Sequence, residues 1–221
     1  MHYVIVTTIH SLLLFAVAVI FRHWNKESAA FKWLAALLLF SFACDAGSLA
    51  NLILRLGFEP NLPSNLHTML NPFLVALFFF YLLRGRLLMI LLLAFLTMNF
   101  IFSINLSLAT QAYSSYNTLT ESFLILALSI TWYFRILKDP PAQNIQQLPE
   151  FWVVTGFFLP TSGKLIVYTV STYLLNVLND NLVILDIIHN LLSILGNALI
   201  AYGLFVQHKH FKRLENPFPT L

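Results

Sequence analysis

Long apolar runs constrain this chain more than any other feature. Seven of them, at about 3–21, 33–56, 66–83, 87–104, 117–134, 151–175 and 183–206, fill most of its 221 residues. A helix needs about twenty apolar residues to cross the hydrocarbon core of a bilayer. Lipid offers no partner to a backbone N–H or C=O, so runs of this length predict helices that satisfy themselves internally. The expected fold is therefore all-α: a polytopic seven-transmembrane-helix bundle forming one domain over 1–221. The breaks carry the residues of turns: "GFEPNLPSN" after the second run, "KDPPAQNIQQLP" after the fifth and "NDN" after the sixth. Arg84, Gly85 and Arg86 alone divide the third run from the fourth. Fusing those two would bury two arginines at the centre of one overlong helix, so a tight hairpin is expected.

Composition agrees. The chain is 59% hydrophobic and 10% charged, against about a quarter charged in soluble domains. Its mean hydropathy is +0.79. The one cysteine, Cys44, excludes an intrachain disulfide and a cysteine-built metal cluster. A net charge of +3 does not suggest a nucleic-acid partner. No cofactor or metal is implied, and the lipid bilayer is the expected surround.

The positions of the charges matter more than their sum. Arg22, Lys26, Lys32, Arg84, Arg86, Arg135, Lys138, Lys209, Lys212 and Arg213 all flank the same ends of the runs. Positive flanks face the cytoplasm. The N-terminus is thus expected outside and the C-terminus inside, in a bacterial inner or plasma membrane crossed several times. No lysine or arginine precedes the first run and no small-residue cleavage site follows it, so it reads as a retained helix.

Polar residues inside the runs are the candidates for function. His10, Asp45, Asn71, Asn99, Glu121, Lys164 and Asn197 each lie twelve to fourteen residues from the inner flank of their span. At 1.5 Å per residue, that depth is about 18–21 Å, which predicts one polar layer. Helical spacing groups further polar residues on shared faces. Ser41, Asp45, Ser48 and Arg55 form one stripe, and Asp186, His189, Asn190, Ser193 and Asn197 another. Ser114, Asn117, Thr118 and Glu121 form a third, and Pro160, Lys164, Tyr168 and Ser171 a fourth. Ionisable residues inside a membrane mark binding sites or ion pathways by default, the plainer alternative being an interhelical clasp. Matched depth makes Lys164 the expected partner of Asp45, with Glu121 competing for the same cation. Pro160 deprives the Gly156 carbonyl of its helical donor, so a kink and a small cavity are expected near Lys164. The aromatic residues of "FFFY" (78–81), Trp132 and Trp152 read as lipid-facing anchors and packing. The basic tail "HKHFKR" (208–213) reads as a membrane-surface anchor.

Familiar seven-helix classes fit poorly. Retinal proteins need a lysine midway along the last helix, and here the intramembrane lysine is in the sixth. Zinc-dependent membrane hydrolases need converging histidines or carboxylates, which His10, Asp45, Asp186 and His189 supply without a paired-histidine motif. The proline–glutamine motif of small sugar and amino-acid carriers does not occur. Three stretches do carry a resemblance: "YNTLTESFLILALSITWYF" (116–134), "LPEFWVVTGFFLPTSGKLIVY" (148–168) and "IIHNLLSILGNALIAYG" (187–203). They resemble a family of bacterial, Bacteroidetes-type seven-helix membrane proteins found beside histidine kinases. The resemblance covers about the C-terminal half and implies a sensor-like role. Lys164 departs from it, standing where the pattern carries a polar amide.

The expected function is a non-enzymatic membrane sensor or receptor. A polar pocket of Asp45, Asn71, Asn99, Glu121, Lys164, His189, Asn190 and Asn197 would bind a small ligand or ion. A separate cytoplasmic protein such as a histidine kinase would take the signal. A small or proton-coupled transporter and an intramembrane lipid-modifying enzyme are the alternatives.

Overall fold

The computed structural model describes residues 17, 20, 22, 24–25, 27–54, 62–83, 85, 90, 92–93, 96–97, 101, 115–142, 144–178 and 182–215. Among them lie five α-helices: α1 (Ala29–Leu54), α2 (Leu62–Leu83), α3 (Ser115–Lys138), α4 (Pro149–Leu178) and α5 (Leu182–Glu215). Helical residues are also described at Val17, Ile20 and Arg22 and between Ile90 and Ile101, within the first and fourth apolar runs. The fold is all-α among the described residues. Three helices are long and apolar enough to cross a membrane, through Ala29–Gly47, Leu119–Lys138 and Leu191–Phe211. α2 contributes a shorter apolar stretch, Met69–Leu83. The chain divides into two compact units, Met1–Ile125 and Leu126–Leu221, with α3 passing from one into the other.

In the first unit, α1 and α2 pack along their length. Seven residues join them, spanning at most about 25 Å, while α1 is about 39 Å long. The chain cannot return to the start of α1 over that distance, so the two helices run antiparallel. Phe31, Leu34, Ala35 and Leu38 fall on one face of α1, and Val75, Ala76, Phe78 and Phe79 on one face of α2. All are buried. Phe78 and Phe79 are wholly enclosed, and Tyr81 of the same "FFFY" run is exposed. The run is therefore packed in the core at its start and exposed at its end.

In the second unit, α4 and α5 pair through glycine. A Cβ added to Gly196 would lie 2.6 Å from the Gly156 carbonyl oxygen, and one on Gly156 would lie 2.7 Å from the Gly196 oxygen. Gly203 meets the Pro149 oxygen at 2.8 Å, and Gly163 meets Leu192. Partner numbers fall on one helix as they rise on the other, so this pair is antiparallel too. Gly156 and Gly163 are seven residues apart, as are Gly196 and Gly203. Small residues at such spacing let membrane helices approach to backbone contact.

Pro160 sharpens that contact. Its ring leaves the Gly156 carbonyl without a helical donor, and the Gly196 backbone lies against that same oxygen. A Cα–H···O contact is the weak bond available there. The cavity expected from Pro160 is thus filled, at this carbonyl, by the neighbouring helix.

Candidate functional site

Two polar contacts join the helices of the first unit. Ser41 Oγ on α1 and His67 Nε2 on α2 share a hydrogen bond of 3.1 Å. Phe40 stacks beside the same imidazole, with ring centroids 6.1 Å apart and planes 5° from parallel. One turn along α2, the Asn71 side-chain amide donates to Glu121 Oε1 on α3. Asn71 is 9% exposed, and Glu121 is half-buried. Pro72 follows Asn71 inside the helix and leaves the Thr68 carbonyl without its helical donor.

The sequence reason for this placement is local. His67 and Asn71 are four apart on α2, as Ser41 and Asp45 are on α1, so each pair shares a face of its helix. The α1 pair belongs to the stripe that also holds Ser48. Asp45 is half-buried and continues the face that presents Ser41 to His67.

The contact of Ser41 with His67 also sets the register of the two helices. Asp45 then falls level with Pro63, and Asn71 level with Leu37. Asp45 and Asn71 are eight residues apart in level, about 12 Å. The polar residues of this unit are staggered along the helix pair instead of sharing one depth. Counting from flanking charges misses this because lysine is long. In this register Lys32 is level with Ala76. Its ammonium reaches back over the Trp24 ring, 5.2 Å from the centroid, as a snorkelling side chain does.

In the second unit the glycine contacts place Lys164 level with Asn190, and Asn197 level with Phe157. Lys164 follows Gly163 by one position and Asn197 follows Gly196 by one. In an antiparallel pair, one step forward on each helix turns toward the same flank of the seam. Both side chains are half-buried. Beside them Thr161 Oγ1 donates to the Phe157 carbonyl at 2.6 Å, and Ser162 Oγ to the Leu159 carbonyl at 2.8 Å. His189 and Asn190 are placed on α5 by their backbone alone. Asn99 and His10 lie outside the described residues. Asp45 and Lys164 belong to different units.

Near the basic end of α5, aromatic residues knit α3, α4 and α5. Tyr133 OH and Thr155 Oγ1 share a 2.7 Å hydrogen bond. Trp152 stands edge-on to Tyr202 at 4.7 Å, and its indole donates to the Gln146 carbonyl at 2.8 Å. Trp132 is 4% exposed, so of the expected anchoring and packing it does the packing. Glu150, in the first turn of α4, has its carboxyl pushed above the usual range by burial. A backbone hydrogen bond and the charge of His210 oppose that shift.

His67 is the residue that sequence reasoning overlooked. It opens the third apolar run, next to a polar loop, where a histidine looks solvated. The available signal was its spacing of four from Asn71, ahead of an interior proline. Comparisons with protein families, curated proteins and solved structures give no match to this chain.

Proposed function

We propose that this chain is a non-enzymatic, multi-pass membrane sensor of the receptor type. It would be a seven-helix bundle in a bacterial inner membrane, with its N-terminus outside and its C-terminus in the cytoplasm. Its polar site, built on Glu121, Asn71, His67 and Asp45, binds a small ligand or ion. A separate cytoplasmic protein, such as a histidine kinase, receives the output. The observation that carries the reading is the hydrogen bond from Asn71 to Glu121 between two apolar helices. A carboxyl group there is costly on every insertion scale, and such residues are retained for function by default.

The route to the output is supported by α5. Its 34 residues extend about 51 Å, against about 30 Å of hydrocarbon. The glycine seam ties its middle to α4, and its basic end projects beyond. A shift in the bundle would reach that end as a rigid displacement.

A proton-coupled carrier is the second reading. It is favoured by one observation: His67, hydrogen-bonded to Ser41, lies one turn along α2 from the Asn71 that donates to Glu121.

The test uses reconstituted protein with a fluorophore on Lys209→Cys in a Cys44→Ser background. Steps of external pH and a panel of monovalent cations are applied. A sensor gives a fluorescence change that Glu121→Gln abolishes. A tail signal indifferent to Glu121→Gln overturns the reading. Sustained substrate flux into the vesicles moves the assignment to the carrier.

A further inference from the structure

α3 and α5 finish alike. Each is long and apolar enough to cross a membrane, through Leu119–Lys138 and Leu191–Phe211. Near the end of α3, Phe134 and Leu137 are 68% and 72% exposed, and Lys138 beside them is exposed too. Along α5, Tyr202 and Phe205 are 48% and 60% exposed, and Lys209 follows one turn later, again exposed. Spacings of three and four put each set on one face of its helix. In both, large apolar side chains come first and a lysine comes last. Contacts within the second unit bring the two sets to the start of α4. Tyr133, in the last turns of α3, bonds Thr155 and stands edge-on to Phe151. Tyr202 meets Trp152, and Gly203 lies against the Pro149 carbonyl.

We propose that this end of the second unit binds anionic phospholipid, with Lys138 and Lys209 on the headgroup phosphates and Phe134, Leu137, Tyr202 and Phe205 among the acyl chains. The proposal goes beyond the sensor reading and holds equally for a carrier. Exposed rings at the end of a membrane-length helix are poorly placed in water, and acyl chains cover them favourably. A lysine stem lies along such a surface while its ammonium reaches the polar layer. Trp152 marks that layer: its ring packs on Tyr202 while its indole N–H donates to the Gln146 carbonyl. Amphipathic rings of this kind settle at headgroup level.

Charge selects the lipid. Arg135 and Lys138 stand in the last turn of α3, and Lys209, Lys212 and Arg213 in the last turns of α5. Asp139, Glu150 and Glu215 oppose them, and burial pushes the Glu150 carboxyl up, which disfavours its negative charge. The balance is positive, and an anionic lipid surface attracts each such cation. A zwitterionic lipid has no net charge to offer in return. A soluble phosphate would engage the lysines and leave the exposed rings uncovered, so the occupant that fits both features is a lipid.

The plainer role for these cations is to complement the helix C-termini, whose last carbonyls carry partial negative charge. That role is indifferent to the lipid headgroup. Replacing a lysine would then lower the melting temperature and leave the lipid preference as it was, and this difference is measurable.

The experiment places a fluorophore on Ala142→Cys, an exposed position between α3 and α4, in a Cys44→Ser background. The full-length protein is reconstituted in phosphatidylcholine vesicles. Nitroxide-labelled phosphatidylglycerol is titrated in, and phosphatidylcholine with the same label serves as the comparison. The anionic lipid should reach half-quenching at a lower mole fraction, by about fivefold or more. Lys138→Gln and Lys209→Gln should each move its curve toward that of phosphatidylcholine, by up to about fivefold. Asp139→Asn should move it the other way. Salt at about 1 M should erase most of the preference, because the cations are exposed. Equal quenching by the two lipids in the protein with both lysines intact overturns the proposal, whether or not the variants fold. So does a preference that survives both lysine replacements. Displacement of the anionic lipid by glycerol 3-phosphate also overturns it, by assigning the lysines to a soluble anion.

Discussion

The two antiparallel helix pairs solve one problem in opposite ways. Each contains an interior proline, Pro72 in α2 and Pro160 in α4. Each proline deprives a carbonyl of its helical donor. In the α4–α5 pair the freed oxygen, that of Gly156, is met by the backbone of Gly196. In the α1–α2 pair the helix beside the proline is met by side chains: Ser41 on His67, and Asn71 on Glu121 from α3. Backbone against backbone leaves no rotamer to change and nothing to titrate. Side chains can rotate, protonate and exchange partners. The contrast separates a pair joined by backbone contact from one joined by side chains that can rearrange.

The comparison breaks most visibly at the glycines. Gly196→Leu should cost the most, at least ~3 kcal/mol, the upper end for overpacking a well-packed interior. Its Cβ would meet a carbonyl and the Pro160 ring, neither of which can swing aside. Gly163→Ala should cost less, since its neighbour is the flexible end of Leu192. Gly47→Ala on α1 is the control. Nothing lies within 4 Å of its added Cβ, so it should stabilise the helix by about 0.5–1 kcal/mol. Thermal unfolding in detergent ranks the three. A tolerated Gly196→Leu would mean that the seam is not the rigid member of the comparison.

The adjustable pair should respond more mildly. Asn71→Ala removes the donor to Glu121 and should cost about 1–3 kcal/mol, as when a buried polar group loses its partner. Glu121→Ala combined with Asn71→Ala should cost less than the two single losses together. Interhelical hydrogen bonds in membranes couple by ~0.6 kcal/mol on average, so the double-mutant cycle should give a positive coupling of that order. Strict additivity would show that Asn71 and Glu121 do not hold each other.

These residues also show what was legible beforehand. Apolar runs of membrane length predicted helices, and α1, α3 and α5 each contain one long enough to span. That inference depends on length and composition, which the sequence states directly. Asp45, Asn71 and Glu121 could be singled out because a polar group in an apolar run is conspicuous. The partner of Asn71 could not, since Glu121 is fifty residues away and the contact depends on how helices pack. The level of Asp45 against α2 could not be counted from Lys32, because the register depends on how the two helices pack. The glycine seam was visible as two seven-residue spacings, but glycine is common in membrane helices. Its meaning emerges when Gly156 and Gly196 are seen against each other.

The smallest expected effect concerns the start of α4 in the rigid pair. Burial raises the Glu150 carboxyl above its ordinary value of 4.5. In the unfolded chain that carboxyl has its ordinary value, so between the two values the folded protein holds more protons than the unfolded one. Stability therefore falls as pH rises through this window, and the deficit stays constant above it. Glu150→Gln removes the ionisation and should raise the melting temperature slightly at pH 7. The gain should shrink as pH falls through and below 4.5, where Glu150 becomes neutral in both states. His210 works against the effect, because its charge favours the ionised carboxyl. Replacing His210 with Gln should thus enlarge the benefit of Glu150→Gln. If Glu150→Gln instead lowers the melting temperature at pH 7, the carboxylate is serving as an ionised partner in the α4–α5 pair. That pair would then contain a titrating contact, and the division between a rigid hairpin and an adjustable one would have to be redrawn at the end that holds Glu150.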